Sequence, residues 1–187
     1  NICSPPKDFI ETFDRGDIDL LVMPEQYASR LAHPQLPLFQ DTQACLIWSE
    51  HPTVGDTISF DEYMALGHVA GRFGDQSRVV MFEEWFLPRY GRQRRVECCV
   101  DNFSTLALLV VGTERIVTLH RLMAEHFSRH LPLRLLEAPF DMPPVVETMA
   151  WPRHLQHDPA HAWLREQLQA AAASLAQVNA LLRQGDQ

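Results

Sequence analysis

The stretch RVECCVDNFSTLALLVVGTERIVTL, residues 95–119, decides the fold class of this chain. Residues 95–100 and 115–119 are short runs rich in apolar and β-branched side chains, which predicts two strands. Between them, Asn102 is a potential N-cap for a helix with apolar residues from 106 to 110. A strand, a helix and a strand joined by short loops favour a parallel sheet with helices on both faces.

The same alternation continues on both sides of this stretch. Residues 68–73 predict a further strand, and apolar residues spaced along 79–87 lie on one helical face. Downstream, residues 122–127 predict a helix and residues 133–136 a last short strand. We therefore expect one complete α/β lobe, lobe II, over residues 67–141.

The flanking segments do not build a complete second lobe separately. Residues 17–23 and 44–48 predict two nearly all-apolar strands, which suit a sheet covered on both faces. Ser59 with Glu62 predicts a capping box that opens a short helix through Met64. Residues 137–144 contain three prolines and predict a crossing segment, followed by an extended run to Trp151 and a helix that begins near Asp158. Together the flanks, residues 1–66 and 142–187, predict a discontinuous lobe I.

Composition narrows the class of protein. The chain has 187 residues, 46% hydrophobic and 21% charged, with a formal net charge of −8. An acidic chain does not favour direct binding to nucleic acid, which needs a basic face. The four cysteines, among them the adjacent Cys98 and Cys99, form no C-x-x-C pair, so we expect reduced thiols in a cytoplasmic protein.

Several stretches, in order along nearly the whole chain, resemble the effector-binding domain of LysR-type transcription regulators, and within them the NodD-like branch that senses aromatic compounds. The matching stretches are residues 13–24, 33–34, 64–70, 83–87, 94–97, 112–119, 151–152, 158–159 and 163–166. The resemblance implies the type 2 periplasmic-binding-protein fold, in which the chain crosses twice between two Rossmann-like lobes and a small molecule binds in the interlobe cleft.

The resemblance also implies partners and segments that these residues do not contain. Family members associate as dimers or tetramers and contact promoter DNA through an N-terminal winged helix-turn-helix. Their first lobe opens with a strand and a helix that precede the segment matching Asn1, so we expect lobe I to be incomplete here. Two residues depart from the family pattern, because proline is common at the positions of Asp101 and His120.

The candidate ligand-binding residues are those expected where strands end and helices begin, because helix N-termini offer free N–H groups. They are Met23, Phe73, Asn102, Phe103, Ser104, Thr118, His120, Met149 and Trp151. The set is aromatic, soft and sparingly polar, which suits a planar aromatic effector. A purely structural role stays open for several of them, since an Asn in the pattern of Asn102 is more often a helix cap than a ligand contact, and Trp151 could pack beside Pro152.

Other kinds of site have less support. His154, His157 and His161 have a spacing compatible with metal on a helix, but a helix that begins between them separates them, so we expect no metal site and no cofactor. We found no G-x-S-x-G motif and no glycine-rich phosphate loop, and we expect no catalytic residues and no enzyme activity.

The sequence therefore predicts the effector-sensing domain of a LysR-type regulator. The alternatives are a solute-binding receptor of a transporter, which shares the fold, and an interaction module without a ligand.

Overall fold

The computed structural model describes residues 1–2, 8–71, 91 and 93–185, and the side chains of these residues up to 175. The chain divides into two compact units. Unit 1 comprises Asn1–Asp41 and Pro144–Gln187, and unit 2 comprises Thr42–Pro143.

Unit 2 is built around a five-stranded sheet with the order β5-β4-β6-β3-β7. Its elements in chain order are β3 (Gln43–Trp48), α3 (Phe60–Ala65), β4 (Gly67–Gly71), β5 (Arg95–Val100), α4 (Phe103–Leu108), β6 (Arg115–His120), α5 (Arg121–His130) and β7 (Leu133–Glu137). β4 pairs in parallel with β5 and with β6, whereas β3 runs antiparallel to both β6 and β7.

Both faces of this sheet are covered, which explains the unbroken apolar run of β3. Ala44 and Leu46 face a core cluster that includes Leu106 and Val110. Because successive side chains of a strand point to opposite faces, Cys45 and Ile47 face a second cluster built around Tyr63. A strand buried on both faces has no place for the alternating polar residues of a half-exposed strand.

Unit 1 contains a three-stranded antiparallel sheet with the order β1-β8-β2. Its elements are α1 (Phe9–Asp14), β1 (Leu21–Pro24), α2 (Glu25–Ala28), β2 (Gln35–Asp41), β8 (Val145–Ala150), a 3-10 turn (Arg153–Leu155) and α6 (Pro159–Gly185). The side chain of Asp158 accepts a hydrogen bond from the His161 backbone N–H at 2.8 Å, which caps α6 as the sequence predicts.

The structure differs from the sequence prediction at three points. First, residues 42–66 lie in unit 2, whereas the sequence placed them in lobe I. The reason is that β3 is hydrogen-bonded between β6 and β7, inside the unit 2 sheet. Second, the unit 2 sheet is mixed, because β3, which was not expected in this sheet, runs antiparallel to its neighbours β6 and β7. Third, β2 and α2 were not predicted. In β2, Pro37 and the bulge between Pro37 and Phe39 interrupt the regular pattern by which a strand is recognised.

Other predictions are confirmed. The Ser59 capping box is formed, with the Ser59 side chain and Glu62 bonded reciprocally at the start of α3. The strands predicted over 95–100 and 115–119 match β5 and β6 to within one residue. The helix expected over 79–87 lies outside the described residues.

Candidate functional site

One edge of the unit 2 sheet collects several polar side chains. Because β4, β5 and β6 run in parallel, they end at the same edge, and the carboxyl end of β7 lies there too. β3 runs the other way, so its first residue, Gln43, lies at this edge directly opposite His120 in the β3–β6 register. We call this the carboxyl edge of unit 2, and in open α/β sheets such edges are where ligands bind.

The turn between β5 and α4 places three of the predicted residues at the carboxyl edge. The Asn102 side chain accepts a hydrogen bond from the Thr105 N–H at 2.9 Å and donates one to Asp101 Oδ1 at 3.2 Å. Phe103 is half-buried, and Ser104 is exposed beside it. Asn102 therefore caps α4, as one of the two alternatives for this residue predicts.

An aromatic contact joins this turn to the end of β6. The rings of Phe103 and His120 meet edge to face, with their centroids 6.1 Å apart. His120 immediately precedes α5, and the N–H of Arg121 donates to the Thr42 carbonyl at 2.8 Å. The structure thus brings Phe103, next to Asn102, into contact with His120 at the carboxyl ends of β5 and β6, two parallel strands that lie on either side of β4.

Thr118 lies deeper in the same unit. It is 1% exposed, and its hydroxyl lies 2.9 Å from the Tyr63 hydroxyl and 3.7 Å from Cys45 Sγ. These contacts connect α3 to the middle of the sheet and give the Thr118 hydroxyl partners inside the core. Its predicted contact with a ligand stays a prediction, and its observed contacts are structural.

Arg121, the first residue of α5, is a charged side chain at the carboxyl edge. Its guanidinium is paired with Glu137 at the end of β7, and its Nε donates to Thr42 Oγ1 at 3.1 Å. A cation in the first turn of a helix opposes the helix dipole, so Arg121 gains its stability from these two partners. The positive potential at this end of α5 therefore comes from the helix dipole, because the charge of Arg121 is compensated by Glu137.

In unit 1, Met23, Met149 and Trp151 lie on the strands of the antiparallel sheet or directly after one. Met23 on β1 pairs with Thr148 on β8, next to Met149, which is fully buried. The Trp151 indole donates to Gln156 Oε1 at 2.8 Å, and the Arg165 guanidinium lies 4.6 Å above its ring. Trp151 is therefore held by its own unit, while Phe73, the remaining predicted residue, lies outside the described residues.

Sequence reasoning missed three polar groups that the structure makes conspicuous. Gln43 Oε1 and Thr148 Oγ1 are buried without a hydrogen-bond partner. Burial, with a smaller contribution from the nearby carboxylate of Asp41, raises the pKa of Glu147 on β8 to about 7. The only sequence signal for Gln43 and Glu147 is a polar residue at the end of, or inside, an otherwise apolar strand.

The three histidines with metal-like spacing differ in their burial and in their contacts. His161 Nε2 lies 2.9 Å from the Asp19 carbonyl oxygen and its Nδ1 lies 2.6 Å from Arg165, whereas His154 and His157 are exposed. Among the described residues, no group of histidine, cysteine or carboxylate side chains could hold a metal ion. In the same part of the chain, no helix combines the length and apolar character that crossing a membrane requires.

Comparison with known proteins gives consistent matches. The family model of the LysR substrate binding domain matches residues 2–173. Nodulation protein D 2 of Rhizobium tropici is 39% identical over 176 residues, which cover 94% of this chain and 55% of that protein. This chain therefore spans about half the length of the curated relatives it matches.

Solved structures agree with the sequence matches. The probable transcriptional regulator PA0477 from Pseudomonas aeruginosa superposes with a TM-score of 0.73 and 25% identity, over 86% of this chain and 52% of that one. The regulatory domain of MexT, a transcriptional activator from Pseudomonas aeruginosa, gives a TM-score of 0.71 and 25% identity, over 88% of this chain and 80% of that one.

Proposed function

Because this chain belongs to the LysR substrate-binding domain family and has its two-lobed α/β fold, we propose that it senses a small effector for a LysR-type transcription regulator. The single observation that carries the proposal is the family match over residues 2–173. The relatives that match are named Nodulation protein D, and the similar solved structures are those of transcription regulators, so the alternative of a transporter's solute receptor is not favoured. The family consists of transcription regulators, and we propose that the domain performs no catalysis.

We place the effector at the carboxyl edge of unit 2, with Asn102, Phe103, Ser104 and His120 as contacts. Two features support this placement. The Phe103 and His120 rings supply an aromatic wall, and the amino end of α5, next to Arg121, supplies positive potential for an oxygen-rich group. A planar aromatic compound with one or two oxygens satisfies both features, and it agrees with the resemblance to the aromatic-sensing branch.

The contributions of unit 1 and of the remaining candidates stay predictions. We propose that Met23, Met149 and Trp151 complete the binding site, as the type 2 periplasmic-binding-protein fold implies, and that Phe73 and Thr118 contribute from unit 2. Of these, Trp151 has the most constrained geometry, since its indole nitrogen and one ring face already have partners.

The regulatory output is also a proposal. We propose that the effector favours one of two arrangements of the protein, and that this choice repositions DNA-binding domains of a cytoplasmic homodimer or tetramer on a promoter. Only a compound with different affinities for the two arrangements can act in this way.

The test is a titration of the purified domain with salicylate, hydroxybenzoates and hydroxyflavones, followed by calorimetry and by thermal unfolding. A genuine effector raises the melting temperature in proportion to the logarithm of its concentration above Kd. The matched variants are Phe103→Leu and His120→Gln, which remove aromatic surface at the carboxyl edge, and Leu108→Ala, which changes an exposed residue of α4.

We expect the first two variants to weaken binding about tenfold and Leu108→Ala to leave it unchanged. If no aromatic compound gives heat or a thermal shift, the ligand class is wrong. Binding that survives both edge variants unchanged would instead refute the placement at this edge.

A further inference from the structure

Gln43 is a buried polar side chain with an unmet hydrogen-bonding requirement. It is 6% exposed, and its Oε1 atom has no partner. His68 and Arg134 also carry a buried nitrogen without a partner, but each uses another side-chain nitrogen to reach a backbone carbonyl, of Tyr63 and of Val54. Gln43 differs from them because it lies at the carboxyl edge of unit 2, where a strand begins.

The position of Gln43 in the sheet fixes what surrounds it. It opposes His120 in the β3–β6 register, and the next residue pair on the same face is Cys45 with Thr118. Thr118 contacts the Tyr63 hydroxyl, so that deeper pair is satisfied within the core. Two residues along β3 towards the edge, the Oε1 atom of Gln43 has no hydrogen-bond partner.

An acceptor that is buried without a hydrogen bond destabilises the folded state, and folded proteins contain few of them. Such exceptions occur at functional sites, where a ligand supplies the missing bond. An apolar residue in place of Gln43 would extend the apolar run of β3 and would avoid the penalty. The unpartnered amide oxygen is therefore better explained by binding than by folding.

We propose that the Gln43 side chain reads a hydroxyl group of the effector, with its amide oxygen accepting the hydrogen bond. This assigns a specificity-determining residue that lies outside the predicted set, and it rests on the proposed function of the carboxyl edge. An acceptor needs a donor, and a neutral hydroxyl fits better than an ammonium group. The reason is that the amino end of α5 already supplies positive potential there, which disfavours a second cation.

The aromatic side chain opposite Gln43 specifies the hydroxyl further. His120 opposes Gln43 in the β3–β6 register, and its ring meets that of Phe103 edge to face, so the carboxyl edge offers ring surfaces and the hydroxyl belongs to an aromatic ring. The effector class that follows is a phenol, and its O-methyl ether should be rejected because it cannot donate and leaves Oε1 buried and unpaired.

The binding experiment uses pairs of compounds that differ only by this methyl group: salicylate with 2-methoxybenzoate, 4-hydroxybenzoate with 4-methoxybenzoate, and 7-hydroxyflavone with 7-methoxyflavone. We expect the wild-type domain to bind at least one phenol about tenfold or more tightly than its ether. In Gln43→Met, which keeps the length and loses the amide, the preference should fall to about twofold or less through weaker phenol binding.

A second measurement needs no ligand. Gln43→Met removes an unpaired buried acceptor, so the melting temperature of the free domain should rise by about 2–4 °C or more. The matched variant Thr118→Val removes a buried hydroxyl that does have partners, and its melting temperature should fall by a similar amount.

The two measurements separate the failure of this inference from the failure of the proposed function. A phenol preference that is unchanged in Gln43→Met, or a melting temperature that falls in that variant, overturns the role of Gln43. If no phenol binds the wild type, the proposed aromatic effector is wrong, and the thermal shift of Gln43→Met then decides whether this residue still marks a binding site.

Discussion

The substitution Glu147→Gln tests how the buried carboxyl of Glu147 affects the pH dependence of the unfolding free energy. Glu147 lies on β8 opposite Pro24 of β1 and Phe39 of β2, and burial together with Asp41 raises its pKa from 4.5 to about 7. Between these two pH values the folded state holds a proton that the unfolded state has released. Stability therefore falls as the pH rises from about 4.5 to 7 and levels off above 7.

The size of the effect follows from the pKa. A rise from 4.5 to about 7, at roughly 1.4 kcal/mol per pH unit, destabilises the folded state by about 3 kcal/mol at alkaline pH, as an upper bound. Glutamine resembles the protonated carboxyl and cannot ionise. We expect Glu147→Gln to match the wild type near pH 4.5 and to exceed it by up to about 3 kcal/mol at pH 8.

The assay is urea unfolding of both proteins in steps from pH 4.5 to 8.5, with the difference in unfolding free energy plotted against pH. Other carboxylates titrate in both proteins and cancel in this difference. Glu166→Gln, at an exposed position on α6, is the matched control and should give a flat difference. A flat difference for Glu147→Gln, or a variant less stable than the wild type at pH 8, would refute the reasoning.

Three further substitutions probe the fold and the carboxyl edge by urea unfolding. Gly67→Ala would place a Cβ 2.3 Å from Glu97 Cδ at the far end of a flexible side chain, so that carboxylate moves aside and loses its pairing with Arg115, which costs about 1 kcal/mol. Asn102→Ala removes the cap of α4 and should cost about 1 kcal/mol, with weaker effector binding only if Asn102 also contacts the ligand. Arg165→Lys keeps the charge but loses the planar group over Trp151 and its bonds to two backbone carbonyls, which costs about 2 kcal/mol.

Each of these variants has a control with a contrasting expectation. Gly55→Ala meets no atom within 4 Å and should leave stability within about 0.5 kcal/mol of the wild type. Asn102→Asp preserves the cap and should retain stability, while Arg15→Lys changes an exposed arginine and should be neutral. Destabilisation by a control as large as by its partner would contradict the local explanation given for that site.

The sequence was sufficient for the family and for most of the elements. Residues 95–119 predicted β5, the capped α4 and β6, because strand composition and capping act over a few residues. The Ser59 capping box and the Asp158 cap were predicted for the same reason. These signals depend only on neighbours along the chain, so they can be recognised in the sequence alone.

The pairing of strands that are distant along the chain could not be predicted from the sequence. The apolar run of β3 shows that it is buried on both faces, but it carries no information about direction or neighbours, and only the structure places it antiparallel between β6 and β7. The boundary between the units moved to Thr42 for this reason.

The candidate site likewise has features that the sequence predicts and contacts that only the structure shows. The sequence by itself determined the aromatic and capping residues at the strand ends, Asn102, Phe103 and His120, because strand ends follow from local pattern. Only the tertiary structure decided that Phe103 meets His120, that Thr118 is bonded to Tyr63, and that Gln43 Oε1 is buried without a hydrogen-bond partner. Hydrogen-bond satisfaction depends on atoms that the chain brings together across long sequence separations, and no local pattern records which atoms those are.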